Sequence, residues 1–449
     1  MGRLFGTDGV RGIANKELTP ALAFQLGQAG ALALTNKTHH KPKILIGKDT
    51  RISSDMLEAA LTAGVCSVGA EAVLLGVIPT PAVAHLTREY KADAGVVISA
   101  SHNPMEYNGI KFFDSRGYKL PDAMEDEIES IIMGDQSKIP MPIGSDVGRV
   151  IHKFDAVEDY KKFALGTITG RLDGLHIVID CANGASSGVS QPVLEQLGAK
   201  VTAIHNTPDG SNINKNCGSM HLEDLQKCVK ENGADLGLAF DGDADRVLAV
   251  DENGAVIDGD KIMSICGIDM NQNGKLKDGM IVATVMSNLG LHMMAKKNGI
   301  SVMQTAVGDR YVLEKMVECN YNLGGEQSGH IIFLDYNTTG DGLVTGLQLA
   351  VIVAKSGKKL SELSAAMQVL PQILINARVN GDKNSYKEFK EIMDYIAAIE
   401  GEFAGEGRVL IRPSGTEPLV RVMIEGADLE KITARAKELA KMIESRCKV

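Results

Sequence analysis

Three carboxylates stand at alternate positions in Phe240-Asp241-Gly242-Asp243-Ala244-Asp245-Arg246, directly after an apolar run. Hard oxygen ligands clustered this way suit Mg²⁺, because three anions so close repel one another unless a cation lies between them. A solvated Asp-rich turn is the plain alternative. An EF-hand loop would end in Glu, and Glu252 holds that place, but Arg246 replaces the glycine of its sharp turn and the flanks read as strands. A phosphatase using Asp241 as nucleophile is the sharper rival.

Three other polar loops carry chemistry. Ile98-Ser99-Ala100-Ser101-His102-Asn103-Pro104 closes an apolar strand, at the end where open α/β sheets place ligands, so a serine there can be a nucleophile or a phosphate carrier. A capping turn would look similar, and no G-x-S-x-G elbow supports an esterase. Lys111, just downstream, is a candidate for proton transfer or phosphate contact. Gly324-Gly325-Glu326-Gln327-Ser328-Gly329-His330 lets backbone approach a ligand and offers an acceptor, a hydroxyl and a titratable ring, an inventory suited to sugar hydroxyls. Arg412-Pro413-Ser414-Gly415-Thr416-Glu417-Pro418, followed by Arg421, forms a donor set matched to a phosphate dianion. No P-loop pattern occurs. His152, His176, His205, His221 and His292 lack metal-ligand spacing.

The elements that must hold these loops alternate short β-branched runs with helix-length amphipathic stretches, the grammar of α/β layers. Lys43 to Gly47, Ala72 to Leu75 and Ala94 to Ser99 read as strands, and the pattern restarts at Leu175 to Asp180 and again at Met280 to Val285. The end differs: Ile373 to Val379, Val409 to Ile411 and Leu419 to Ile424 are strand-like, and Leu429 to Ile443 is an amphipathic helix. The expected fold is α/β with four domains, near 1–150, 151–255, 256–370 and 371–449. Three are similar mixed-sheet α/β domains, and a smaller C-terminal α+β domain joins them around a central cleft.

With 449 residues the chain has room for several cores, and 47 basic against 57 acidic residues give a net charge of -10. That balance, 4% aromatics and no Trp argue against nucleic-acid binding. Seven cysteines without a C-x-x-C pair fit free thiols in a reducing compartment. The opening residues lack a signal-peptide core and no apolar run suggests a membrane span, so a cytoplasmic protein is expected.

A loop for metal, one for a carrier serine, one for sugar and one for phosphate describe a site for a phosphosugar. In their order and spacing, Ser-Ala-Ser-His-Asn-Pro, Asp-Gly-Asp-Ala-Asp-Arg, Gly-Glu-Gln-Ser-Gly-His and Arg-Pro-Ser-Gly-Thr-Glu-Pro resemble the α-D-phosphohexomutase superfamily over essentially the full chain. The resemblance implies that Ser101 is a phosphoserine and that Asp241, Asp243 and Asp245 hold one Mg²⁺ with it. It implies supporting roles for His102, Asn103 and Arg246, sugar contacts from Glu326, Ser328 and His330, and a phosphate grip from Arg412, Ser414, Gly415, Thr416 and Arg421. Arg11, Lys111 and His330 become candidates for proton handling or charge stabilisation. Gln327, the Gly6 to Gly12 opening and Gly308-Asp309-Arg310-Tyr311 resemble the glucosamine branch. The implied reaction interconverts glucosamine 6-phosphate and glucosamine 1-phosphate through a 1,6-bisphosphate, toward UDP-N-acetylglucosamine and the cell wall. A sugar bisphosphate would be the activator, a homodimer the suggested assembly, and a mobile fourth domain would serve both ligand orientations. A phosphomannomutase or phosphoglucomutase of the same superfamily, an aspartyl phosphatase and a non-catalytic sugar-phosphate binder are the alternatives.

Overall fold

In the computed structural model, residues 4–6, 8–35, 40–403, 405–414 and 417–447 are described. The apolar runs become the inner strands of four sheets. The first holds β1 (Val10–Ile13), β2 (Lys43–Lys48), β3 (Glu71–Val77), β4 (Ala94–Ile98), β5 (Tyr107–Asp114) and β6 (Val150–His152), in the order β1-β5-β4-β2-β3-β6. The second holds β7 (His176–Asp180), β8 (Lys200–Ile204), β9 (Leu236–Phe240), β10 (Val247–Asp251) and β11 (Val256–Ile257), ordered β11-β10-β9-β7-β8. The third holds β12 (Met280–Thr284), β13 (Ser301–Thr305), β14 (Leu323–Gly325) and β15 (Ile331–Phe333), ordered β13-β12-β14-β15.

One topology recurs in all three. A central strand pairs in parallel with its successor on one side and with a third strand on the other, and that third strand turns back into an antiparallel partner. The sequence repeat, weak residue by residue, is therefore a repeat of strand order. β4 and β9 are buried at every position, as strands covered on both faces must be, and their Val, Leu and Ile content follows from that. Each sheet has its own core: Leu26, Ile44, Leu61 and Val96 in the first, Val178, Leu225 and Val229 in the second, Val282, Val312 and Met316 in the third.

The fourth sheet is fully antiparallel, β16 (Gln372–Arg378), β18 (Leu419–Gly426) and β17 (Gly407–Pro413) in that order. The helix Leu429–Arg446 covers it; Asp428 caps that helix by accepting the Lys431 N–H at 3.0 Å. Ile432, Ala436, Leu439 and Ile443 form its buried stripe, at helical spacing. Burying each Leu or Ile there contributes roughly 1.5–3 kcal/mol.

By contact density the chain divides into two compact units: residues 1–286 with 300–366, which hold the first three sheets, and residues 287–299 with 367–449, which hold the fourth. The cysteines are free thiols. Among the described residues, no helix is long and apolar enough to cross a membrane.

Candidate active site

The three chemistry-bearing loops of the first unit occupy one topological position. Each follows the parallel strand whose next strand along the chain is its antiparallel hairpin partner: Ser99 to Glu106 between β4 and β5, Asp241 to Arg246 between β9 and β10, Glu326 to His330 between β14 and β15. The carboxyl ends of parallel strands gather polar side chains in this way because the strand's own hydrogen-bonding groups are satisfied up to that point.

Ser101 is 1% exposed, with Oγ 2.6 Å from Asp241 Oδ2 and 3.3 Å from His102 Nδ1. Gly242, between the first two Asp, is required by this approach: a Cβ there would lie 2.6 Å from the Ser101 carbonyl oxygen. One oxygen from each of Asp241, Asp243 and Asp245 lies within 4.8 Å of the others. Asp243 Oδ2 accepts from Thr80 Oγ1 at 2.7 Å and from Lys111 Nζ at 3.0 Å, and Asp241 Oδ1 accepts the Arg246 N–H at 3.2 Å. Burial, reinforced by Asp245 and Asp243, pushes the Asp241 carboxyl well above its ordinary value.

The residues fit a divalent cation beside an anion. Asp243 Oδ1 and Asp245 Oδ1 are buried acceptors with no hydrogen bond, and Arg11 Nε and Arg246 Nε are buried donors with none. Arg246 Nε and Asp245 Oδ1 face each other 3.8 Å apart, beyond hydrogen-bond reach. Buried polar groups are normally satisfied, so the orphaned acceptors could take a metal ion and the orphaned donors an anion such as phosphate.

Around this core runs a closed ring in which acidic side chains alternate with Lys111, Lys119 and His330. Lys111 lies 2.9 Å from Asp8 and 3.9 Å from Asp245; His330 Nδ1 is 3.6 Å from Asp245 and Nε2 is 3.4 Å from Asp309; Lys119 contacts Asp309 and, at 2.7 Å, Asp8. Arg11 pairs with Asp8 from outside the ring. Burial opposes charge on Lys111, but Asp243, Asp8 and Asp245 outweigh it and hold the ammonium above its ordinary value. Burial likewise opposes the charge of Asp8, and Lys111, Lys119 and Arg11 overcome it, holding the carboxyl well below the usual range. His330 feels two opposed demands. Burial favours the neutral ring and Asp245 and Asp309 raise its pKa, yet the Gly340 N–H, 3.0 Å from Nε2, needs a lone pair on that nitrogen. The geometry places the lasting proton on Nδ1, toward Asp245.

The sugar-type loop is less engaged. Glu326 Oε1 accepts the Gly308 N–H at 3.2 Å, Gln327 donates to Asp258 at 3.2 Å, and Ser328 is exposed. In the second unit, Arg412 and Arg421 stand directly opposite on β17 and β18, and Arg421 lies 3.6 Å from Glu417. Ser414 Oγ accepts the Glu417 N–H at 3.3 Å. Gly415 and Thr416 lie outside the described residues. Two like charges facing across an antiparallel pair repel, and an anion between them would remove the penalty.

The sequence assigns no site role to Asp8, Asp49, Arg51, Thr80, Lys119, Asn214 and Asp309, although Asp8 and Asp309 stand in the motifs that resemble the glucosamine branch. A signal existed for several: Asp49-Thr50-Arg51 follows β2 and Thr80 follows β3, the same carboxyl-end position that drew attention to Ser101. Asp8 and Asp309 have no such cue, and Lys119, the partner they share, is more than a hundred residues from each.

Four family models match in chain order. Those described as phosphoglucomutase/phosphomannomutase alpha/beta/alpha domains I, II and III match residues 2–138, 154–254 and 258–370, and the C-terminal domain of the same family matches 374–442. Curated relatives named phosphoglucosamine mutase include those of Ruminiclostridium cellulolyticum, 62% identical over 99% of this chain and 100% of that protein, and Clostridium novyi, 63% identical over 99% of each. A solved phosphoglucomutase/phosphomannomutase family protein from Burkholderia thailandensis matches with a TM-score of 0.81 at 23% identity, covering 98% of both chains. The N-acetylphosphoglucosamine mutase of Aspergillus fumigatus, solved with GlcNAc-6P and magnesium, matches with a TM-score of 0.71 at 17% identity, covering 99% of this chain and 96% of its own. With every domain matched in order and full-length relatives above 60% identity, the chain belongs to the phosphoglucomutase/phosphomannomutase family, among its phosphoglucosamine mutases.

Proposed function

We propose that the protein is an isomerase that interconverts glucosamine 6-phosphate and glucosamine 1-phosphate, with Ser101 as the phosphoryl carrier. The observation that carries this reading is the contact of Ser101 Oγ with Asp241, inside a trio of buried carboxylates. The names of the full-length relatives support the substrate. In the forward half-reaction the bond from phosphorus to Ser101 Oγ breaks, a bond forms to the free sugar hydroxyl, and glucosamine 1,6-bisphosphate results. The sugar turns over and Ser101 takes the other phosphoryl group. The hydroxyl that attacks loses a proton and the oxygen that leaves gains one, so each half-reaction conserves protons.

Asp241, Asp243 and Asp245 would hold Mg²⁺ with the Ser101 phosphate. Such an ion, when bound, supplies charge neutralisation for a phosphoryl group carrying about -1.5 to -2. Lys111, kept charged by its Asp partners, and Arg11, with Nε unused, stabilise the transferring group, and His330 is the proton-holding candidate. Glu326, Ser328 and His330 take the sugar. Arg412, Ser414, Gly415, Thr416 and Arg421 take the phosphate that is not reacting. His102, Asn103 and Arg246 support the serine and metal loops. A sugar bisphosphate primes the serine. The domain limits given from sequence, cytoplasmic location and a homodimer complete the proposal.

Mg²⁺-dependent turnover of glucosamine, glucose and mannose 6-phosphates, primed with a trace of sugar bisphosphate, tests it. The expected result is preference for the glucosamine ester, lost in Ser101→Ala. Better use of glucose or mannose phosphate overturns the substrate assignment. Phosphate release without isomerisation, or near-normal turnover by Ser101→Ala, overturns the carrier mechanism.

A further inference from the structure

Two side chains outside the four loops converge on the backbone of the serine loop. Arg51 Nη2 donates to the Ser101 carbonyl at 3.0 Å and to the Asn103 carbonyl at 2.7 Å. Asn214 Nδ2 donates to the same two oxygens, at 2.8 Å and 3.1 Å. A carbonyl oxygen has two lone pairs, so each of these oxygens is saturated and its direction fixed from two sides. Ser101 itself holds φ at +53°, a left-handed conformation that a residue with a side chain keeps only where its surroundings impose it.

The two donors are themselves anchored. The Arg51 side chain is fully buried, with Nε 3.5 Å from Asp49 Oδ2. Asp49 also accepts the Arg51 N–H at 3.0 Å, Ser54 Oγ at 3.1 Å and Ser99 Oγ at 2.6 Å, and Ser99 Oγ accepts the Ser101 N–H at 3.0 Å. Asn214 comes from the loop after β8, in the second α/β domain. That loop is joined to the segment after β2 where Ile52 N–H donates to the Gly210 carbonyl at 2.9 Å, and the loop after β7 meets the same segment where Thr50 Oγ1 donates to the Asn183 carbonyl at 2.6 Å. The clamp also abuts the carboxylate loop, since a Cβ at Gly242 would lie 2.8 Å from Asn214 Nδ2.

We propose that Arg51 and Asn214 are positioning residues for phosphoryl transfer: together they lock the Ser101 and Asn103 carbonyls so that Ser101 Oγ stays aimed at Asp241 through every cycle. Neither touches the reacting atoms. Their effect passes through the backbone, and it makes the geometry of the carrier serine depend on a loop of a second domain. Small displacements of a reacting atom slow transfer steeply, whereas substrate binding, made by other loops, is unaffected. This inference rests on the proposed mutase reading.

The test uses the full chain, primed with radiolabelled glucose 1,6-bisphosphate and chased with glucosamine 6-phosphate in a single turnover. Asn214→Gly removes the donor and tolerates the local φ of +56° without strain. The expected result is label on Ser101, transfer at least tenfold slower than in the parent chain, a half-saturating glucosamine 6-phosphate concentration within about twofold, and a shifted phosphoserine phosphorus resonance. Asn214→Asp, with an oxygen in place of the donor, gives the same pattern and serves if the glycine variant does not fold. Transfer within twofold of the parent in either folded variant overturns the clamp alone. A parent chain that takes no label on Ser101 overturns the mutase reading and the clamp with it.

Discussion

Lys119 shows how much one side chain contributes to the ring. It bridges Asp8 and Asp309, and all three side chains are at most 19% exposed. Lys119→Met removes the cation that Asp8 and Asp309 share and leaves Asp8 to Lys111 and Arg11 and Asp309 to His330, so we expect a loss of roughly 2–4 kcal/mol in urea unfolding, since breaking a buried pair weakens the compensation of its partners. A change below about 1 kcal/mol would remove Lys119 from any stabilising role. His85 gives a pH signature of its own. Burial, with Arg88 nearby, lowers its imidazole from 6.5 to about 4. Between those values the unfolded chain binds the extra proton and the folded chain does not, so this stability is present above pH 6.5 and is lost as pH falls toward 4. His85→Phe, which keeps the ring stack on Phe163 (centroids 3.7 Å apart), should flatten the acid limb of a stability–pH curve; an unchanged slope would refute the assignment.

At the level of elements, β17 and β18 present Arg412 and Arg421 across from each other, with Glu417 as a partial counterion for Arg421. A hydrogen bond to a charged group is worth about 1.5–3 kcal/mol, so Arg421→Gln should raise the KM for glucosamine 6-phosphate roughly 10- to 100-fold, and steady-state kinetics that show an unaltered KM would exclude the residue from phosphate binding. Elements were also where sequence was most readable. Strands such as Leu236–Phe240 announced themselves as short β-branched or apolar runs ending in polar loops, and Leu429–Arg446 by its helical stripe. β1, β5, β6, β11, β14 and β15 were missed; all but the eight-residue β5 are two to four residues long and carry too few side chains for a period to register. The carboxylate trio and the serine were legible because each motif is contiguous. The ring was not, since Asp8, Lys119 and Asp309 become neighbours only through the packing of separate sheets.

For the whole molecule, the recurrence of one strand order three times explains why the three polar loops stand at equivalent hairpins, each sheet supplying one loop from the same corner. The final domain does not follow that rule, and neither does its boundary. Residues 287–299, which the family comparison counts with domain III, belong by contact density with 367–449. There Asn288 caps the helix Leu289–Lys297, donates to the Leu370 carbonyl at 3.0 Å and to Glu425 at 3.1 Å, and Arg408 donates to the Ser287 carbonyl at 2.6 Å. The seam for recombination is thus discontinuous along the gene. A chimera that imports only residues 371–449 from a distant relative breaks an Asn288–Glu425–Arg408 lock it cannot rebuild, and we expect it to melt in two steps or to be cut by protease near Leu370. One that imports 287–299 as well should melt as cooperatively as its parents, so that inheritance of the last domain means inheritance of two separate pieces of sequence at once.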